Sequence, residues 1–513
     1  MAKTENQLLA EALAEVSESE VGNIVHSKNV KAKQQALLVK NGYLKRIIKG
    51  WYLFDADIVT QKAGESVLWY ESIWSFLGQY LSFRFDDNYW LSPETSLDIH
   101  TDNNLIPPQI VVFVEFEGGT EDITKLPNDM SLLITRSKKK PDELIECRGV
   151  KVYPLELALA SSVPTSFKNS PVSMQVALRN ANFDRLADAL LRSKNVASAG
   201  RIIGAYDELK MRAESKKLES IVKGVFESIK ITNPFEIAPI ILGEQKKEAA
   251  SAKKVRILWQ QMRQEIIDGF GEYAPEFDFY SRPLEETLSM IDEIYMHDAY
   301  NSLSIEGYKV TPELIERVSK GDWSSETIEQ DNEAKDALAA RGYYDAFNNV
   351  KESITAAYNK EDLNYLIDVG ITQWFISLFK PCVTAGLIGE LDLAGYRKGP
   401  IFIRGSMHVP PASEGLMDCM SALKECIDEE ESFVVKAILG HLFFGYIHPF
   451  FDGNGRTARF LMNFLFVIGG YKWVVIKQET KGEYLAAFES TSVRKNIAPF
   501  VKFILDTLEK SDS

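Results

Sequence analysis

The chain reads as a mainly α-helical protein with an N-terminal winged helix-turn-helix, a central α/β domain and a C-terminal all-α core. Three observations lead there. Helix-spaced apolar residues at the start give way to an alternating run that turns at Lys49-Gly50. The middle mixes β-branched alternation with helical stretches. Beyond Asn233-Pro234-Phe235 and the charged run Glu244-Gln245-Lys246-Lys247-Glu248, helical sequence continues almost to the end. The expected domains are 1–58, 59–240 and 241–513, because 513 residues exceed what one apolar core holds.

In chain order, Thr4 to Ser17 forms a first helix with Leu8, Leu9, Ala12, Leu13 and Val16 on one side. Val21 to Val25 reads as a short second helix, and Lys31 to Asn41 as a third that stops at Gly42. Tyr43 to Phe54 is the hairpin. Trp69 to Phe83 is helical. Ile110–Phe116, Ser131–Thr135 and Gly149–Tyr153 are strands, and Ala187–Leu191 and Ala199–Leu209 are helices. No catalytic pattern occurs in this central part, which reads as an interaction domain or scaffold.

Composition narrows the function classes. The net charge of −15 argues against a general nucleic-acid coat. Yet Ser27 to Phe54 holds Lys28, Lys31, Lys33, Lys40, Lys45, Arg46 and Lys49 and no Asp or Glu. A basic helix and wing of this kind can neutralise the phosphates of double-stranded DNA. Lys28, Lys31, Lys33, Lys45, Arg46 and Lys49 are therefore the DNA-binding candidates. The run LLVKNGYLKRIIKGWYLF resembles the winged helix of AbiEi-type antitoxins and transcriptional regulators. No run of about 18 apolar residues is read, so no membrane span is expected. Cys147, Cys382, Cys419 and Cys426 form no metal spacing, and the N-terminus has no basic-then-apolar leader. A cytoplasmic protein with reduced thiols is expected.

The strongest signal is His448-Pro449-Phe450-Phe451-Asp452-Gly453-Asn454-Gly455-Arg456-Thr457-Ala458-Arg459, lying between the apolar helical stretches Phe433–Tyr446 and Arg456–Val467. The first N–H groups of a helix lack partners in the helix and carry partial positive charge. Gly453, Asn454 and Gly455 let the backbone fold tightly enough to aim those groups at phosphate oxygens. Asp452 can hold Mg²⁺ against phosphates. Arg456 and Arg459 are three apart, share a face and suit phosphate. His448 suits a base that accepts a hydroxyl proton near neutral pH.

These residues match the signature of the Fic family, His-x-Phe-x-Asp/Glu-Gly-Asn-Gly-Arg-x-x-Arg, and the resemblance extends over roughly Arg282 to Leu508. It implies an all-α Fic core with a β-hairpin flap, and transfer of AMP from ATP, with Mg²⁺, to a Ser, Thr or Tyr hydroxyl of a target protein or of the chain itself. It implies His448 as general base, Asp452 as metal ligand, and Gly453, Asn454 and Gly455 as the α/β-phosphate anion hole. Arg456 and Arg459 become the β- and γ-phosphate partners, and Phe451, Tyr484 and Leu485 join the ATP site. Ser492 stands where some relatives have asparagine. Gly395-Tyr396-Arg397 and Ile401, Phe402, Ile403 and Arg404 resemble the target-holding flap, which works by strand addition. Homodimers are common in the family.

Ser302-Leu303-Ser304-Ile305-Glu306-Gly307, after a helical stretch near 288–307, matches the Fic inhibitory pattern Ser/Thr-x-x-x-Glu-Gly/Asn. It implies that Glu306 pairs with Arg459 and takes the space of the γ-phosphate. Two other functions stand beside the self-inhibited adenylyltransferase. One is a DNA-binding regulator or antitoxin with the Fic domain as sensor. The other is Fic chemistry in reverse, with Glu306 orienting a water that removes AMP.

Overall fold

The computed structural model describes residues 4–55, 65–103, 105, 107–115, 122–137, 140–226, 228–242, 247–270, 274–320, 331–403 and 405–510. The chain divides into two compact units, Met1–Gln245 with Ile401–Val409, and Lys246–Pro400 with Pro410–Ser513.

In the first unit Thr4 opens helix Glu5–Ser19 with a capping box shared with Gln7. Helix Ala32–Lys40 follows, and Leu44–Ile48 and Trp51–Phe54 form the expected hairpin around Gly50, whose φ is +86°. Val21–Val25 is not a helix. Gly22 and Asn23, both at positive φ, make a turn, and Ile24–His26 is a strand paired with Trp51–Phe54. Five residues are too few to separate helix from strand, and the β-branched Val21, Ile24 and Val25 favour the sheet.

Strands Tyr89–Leu91, Gln109–Val114, Ser131–Arg136 and Asp122–Lys125 form a mixed sheet in that order, with Gln109–Val114 and Ser131–Arg136 parallel. Helix Glu65–Phe85 covers it through Trp69, Ile73, Phe76 and Leu77, and the same core takes in Ile24, Trp51 and Leu53. The expected boundary at residue 58 thus separates elements that share one core. Phe116 lies outside the described residues. Helices from Leu155–Ser161 to Arg212–Lys223 bury a second core around Phe167, Leu178, Leu190 and Ile203.

The second unit is helical. Phe433–Ile447 and Asn454–Ile468 are buried along nearly their whole length and are its central helices, the first almost wholly apolar and the second polar in its first two turns. Around them lie Ala250–Phe270, Leu284–Ile305, Asp331–Tyr358, Leu363–Thr384, Leu416–Glu429, Lys481–Arg494 and Ala498–Lys510. Helix Leu363–Thr384 is long and apolar enough to cross a membrane by length and composition, although Asp368 and Lys380 interrupt its apolar run. Half of that stretch is buried in the fold, where Trp374 packs on Phe464 and Phe375 stacks on Phe450.

Candidate active site

The signature residues sit at the hinge between the two central helices. Proline disfavours the α conformation in the residue before it, so helix Phe433–Ile447 stops and His448 caps it at φ +52°. A left-handed conformation costs a non-glycine residue about 1–2 kcal/mol, so something must hold it. Arg397 does. Its Nε donates to His448 O at 2.8 Å, its backbone N–H to Pro449 O at 2.9 Å, and its Nη1 and Nη2 to Gly399 O and Pro411 O. One guanidinium thus braces the turn that carries His448.

On the other side, Phe450 is buried and stacked on Phe375, with ring centroids 3.7 Å apart. Asn454 clamps the loop with both ends of its amide: Oδ1 accepts from Phe450 N–H at 2.9 Å, and Nδ2 donates to Phe450 O at 2.7 Å. Its side chain is therefore structural, and only its backbone belongs to an anion cradle. Gly453 starts helix Asn454–Ile468 at φ +75°, and a Cβ there would lie 2.7 Å from the Phe379 ring. Glycine is required on both counts. Phe451 is 40% exposed beside this loop.

Helix Leu284–Ile305 delivers the other half of the site. It ends in a Schellman turn: Gly307, at φ +91°, donates to Ser304 O at 3.0 Å, and Tyr308 N–H donates to Leu303 O at 3.1 Å. Lys481 Nζ donates to Ile305 O at 2.6 Å, and Gln478 N–H to Asn301 Oδ1 at 2.9 Å, so the helix end is tied down. The predicted Ser302 and Glu306 both grip Arg459, which is 3% exposed. Arg459 Nε donates to Ser302 Oγ at 2.9 Å, and Nη2 to Ser302 O at 3.2 Å and Glu306 Oε1 at 2.7 Å. A Cβ on Gly455 would lie 2.5 Å from Glu306 Oε1. The carboxylate therefore rests on the helix N-terminus, where an anion is favoured. Burial pushes the Glu306 carboxyl up, but Arg459 and then Arg456 outweigh it and hold it below the usual carboxylate range.

Arg456 is different. It is 1% exposed, yet its Nε and Nη2 have no hydrogen-bond partner, and the nearest carboxylate oxygen, Asp452 Oδ1, is 3.7 Å away. A buried guanidinium edge of this kind suits an anion. Asp452 is 54% exposed, and its Oδ1 accepts from Gly453 N–H at 2.6 Å. Among the described residues no group of three His, Cys, Asp or Glu can hold a metal by itself. A lone half-exposed carboxylate beside an anion cradle fits a cation that takes its other ligands from phosphates and water, as Mg²⁺ does.

His448 has the tautomer a base needs. Nδ1 lies 3.3 Å from Gly445 O, which can only accept, so Nδ1 carries the proton and Nε2 keeps its lone pair. Burial lowers its pKa to about 4, against the smaller raising effect of that backbone bond, so the imidazole is neutral at pH 7. The C2 proton of His448, assigned by His448→Ala, is expected to titrate in NMR with a midpoint near 4 in the nucleotide-free chain. A midpoint near the ordinary value of about 6.5 would refute the buried, neutral base.

Other predicted residues behave differently. The resemblance puts Tyr484 in the ATP site, but the residue is only 5% exposed. Its hydroxyl is 2.8 Å from the Nε2 of buried His441, and burial pushes its pKa up to about 12. The exposed neighbour is Leu485, at 48%. Ser492 is buried and donates to Phe488 O at 3.0 Å, so it offers no arm to a ligand. Among the described residues the expected flap forms no hairpin. Ile401, Phe402 and Ile403 are in irregular backbone, and Arg404 lies outside the described residues. Residues 401–409 group with the first unit, where His408 bridges Leu105 and Val409 packs on the core. The flap was expected from resemblance, and a three-residue stretch is too short to demand a strand.

In the N-terminal basic stretch, Lys33, Arg46 and Lys49 are exposed. Lys31 lies 3.3 Å from Glu15, Lys45 lies 3.7 Å from Asp55, and Lys28 sits over the Phe83 ring at 4.4 Å. The span itself has no acids, but the fold brings them from either side of it.

Sequence reasoning missed Arg397 as the brace of His448, His441 behind Tyr484, and Tyr308 beside Arg456. The Gly-Tyr-Arg tripeptide was visible, but its bonds to residues some fifty positions away were not.

Residues 379–466 match the model of the Fic/DOC family. "Protein adenylyltransferase Fic" of Culex quinquefasciatus is 29% identical over 227 residues, 43% of this chain and 41% of that protein. The Drosophila yakuba protein of the same name is 34% identical over 130 residues, 25% of this chain and 26% of that one. The chain thus spans about two fifths or less of the length of these curated relatives. A solved Fic domain containing signaling protein from Bacteroides thetaiotaomicron is 18% identical, with a TM-score of 0.36 over 51% of this chain and 94% of that one. The helix–loop–helix that bears His448 and the two arginines falls inside the matched residues, and the chain carries a domain of the Fic/DOC family.

Proposed function

We propose that the chain is a self-inhibited protein adenylyltransferase, which moves AMP from ATP to a hydroxyl of a target protein. The observation that carries this is the grip of Ser302 and Glu306 on Arg459, at the N-terminus of a helix that presents Gly455 and a buried Arg456 whose Nε and Nη2 have no hydrogen-bond partner. Relatives named protein adenylyltransferase support the chemistry.

In this reaction the target hydroxyl oxygen attacks the α-phosphorus and pyrophosphate leaves. His448 Nε2 takes the hydroxyl proton, while Nδ1 stays bonded to Gly445 O. Arg456 and the backbone at Gly453–Gly455 hold the phosphates. Asp452 would hold Mg²⁺, which offsets phosphate charge when bound. Arg459 is the γ-phosphate partner, and Glu306 competes for it in the guanidinium plane. With Arg459 engaged, the triphosphate is displaced from in-line geometry, and positioning supplies most of phosphoryl-transfer catalysis. Incubating the Glu306→Gly chain with each nucleoside triphosphate and Mg²⁺ and measuring intact mass tests this. A covalent adenylyl adduct is expected with ATP, and its absence with every nucleotide would refute the reading.

A second function is favoured by exposed Lys33, Arg46 and Lys49 on the helix and hairpin of the first unit: binding of double-stranded DNA. Three phosphate contacts imply that log K falls against log salt with a slope of roughly −3. Neutralising Arg46 and Lys49 to Gln should flatten the slope by about two units and leave AMP transfer unchanged. A salt-independent or undetectable shift of duplex DNA in a mobility assay would rule this function out.

A further inference from the structure

Glu306 is not the last residue of the Schellman turn to reach the arginines. The next side chain after Gly307, Tyr308, lies over Arg456 with its ring centroid 5.3 Å from the guanidinium carbon. Phe379, from helix Leu363–Thr384, lies 5.1 Å from the same carbon. Phe379 is 3% exposed and part of the core, whereas Tyr308 belongs to the turn that carries Glu306. Beside these two rings Arg456 stays buried without a hydrogen bond to Nε or Nη2. Nη2 points to the loop: it is 3.7 Å from Asp452 Oδ1 and would be 3.6 Å from a Cβ on Gly453.

We propose that Tyr308 is a positioning residue for Arg456, holding its guanidinium against Phe379 so that the unbonded edge faces the phosphate cradle and takes a diphosphate. The geometry separates the two partners. Aromatic rings attract a guanidinium through its faces, while phosphate oxygens bond in its plane along the N–H directions. Tyr308 therefore does not compete with phosphate. Glu306, bonded to Arg459 Nη2 at 2.7 Å, does. Fixed by Gly307, one turn acts twice and with opposite sign: it removes Arg459 from the site and completes the site around Arg456. The resting chain thus retains a grip on nucleoside diphosphates while the γ-phosphate position is blocked.

This inference rests on the nucleotide-site assignment above, so the test reads binding without turnover. ADP is titrated calorimetrically into the full chain and into Tyr308→Leu, Tyr308→Phe and Arg456→Ala. Tyr308→Leu should weaken ADP about ten-fold, and Tyr308→Phe, which keeps the ring, by less than about two-fold. In a Glu306→Gly background, Tyr308→Leu should raise KM for ATP by a similar factor and leave kcat in place. Wild-type affinity in Tyr308→Leu, with Arg456→Ala weakened, would overturn the role of Tyr308 alone. So would equal weakening in Tyr308→Phe and Tyr308→Leu, since a lost hydroxyl or a disturbed turn would then explain both. Equal affinity in wild type and Arg456→Ala would overturn the nucleotide site, and the role of Tyr308 with it.

Discussion

Replacing Glu306 by glycine is expected to raise auto-adenylylation, read with α-labelled ATP, by on the order of 100-fold. The size follows from what is released and what is kept. The substitution removes the only carboxylate bonded to Arg459 among the described residues and clears the atom that lies against Gly455. It leaves Arg459 bonded to Ser302 Oγ and Ser302 O, so the guanidinium stays in place for a γ-phosphate. The helix end is still tied by Lys481 and Gln478. Glu306→Gln should activate less, because its amide oxygen can still accept from Arg459, though without charge. If Glu306→Gly transfers no more label than wild type, Glu306 is not inhibitory.

Replacing His448 by alanine in the Glu306→Gly chain is expected to cut the rate by about 10²–10⁴-fold, with ATP affinity within about two-fold of its parent. The imidazole donates from Nδ1 to Gly445 O and is held at its backbone by Arg397, so its removal takes away the base without dismantling the phosphate cradle. Arg456, Gly455 and Arg459 belong to the next helix, which Asn454 anchors independently through Phe450. A joint loss of binding and rate would instead make His448 a structural residue. Unchanged rate would remove it from the chemistry.

Much of the site was legible because its residues are local. From His448 to Arg459 the chain order almost dictates the geometry. Proline ends one helix, a glycine at positive φ starts the next, and a spacing of three puts Arg456 and Arg459 on one face. The Ser302–Glu306 spacing was legible for the same reason, since both sit on the last turns of one helix. The hairpin at Lys49-Gly50 was readable from its turn chemistry. What misled was short or long-range. The Val21–Val25 run was too brief to decide between states, and the flap at Ile401–Arg404 rested on resemblance alone. Lys31 and Lys45 looked free of acids only because Glu15 and Asp55 lie beyond the stretch that was counted.

The sequence by itself determined the groups on offer: a histidine before proline, a glycine-bounded helix N-terminus, a carboxylate and two arginines, each placed by local backbone rules acting over a few residues. Tertiary structure alone decided how those groups are engaged. Arg459 is held by residues more than 150 positions away, Arg456 is left with two aromatic rings close by and no hydrogen bond to Nε or Nη2, His448 is buried and so neutral, and it is braced by Arg397. Helix periods and turn residues act over about a turn of chain, whereas a buried charge takes whatever partner the packing of distant helices brings to it.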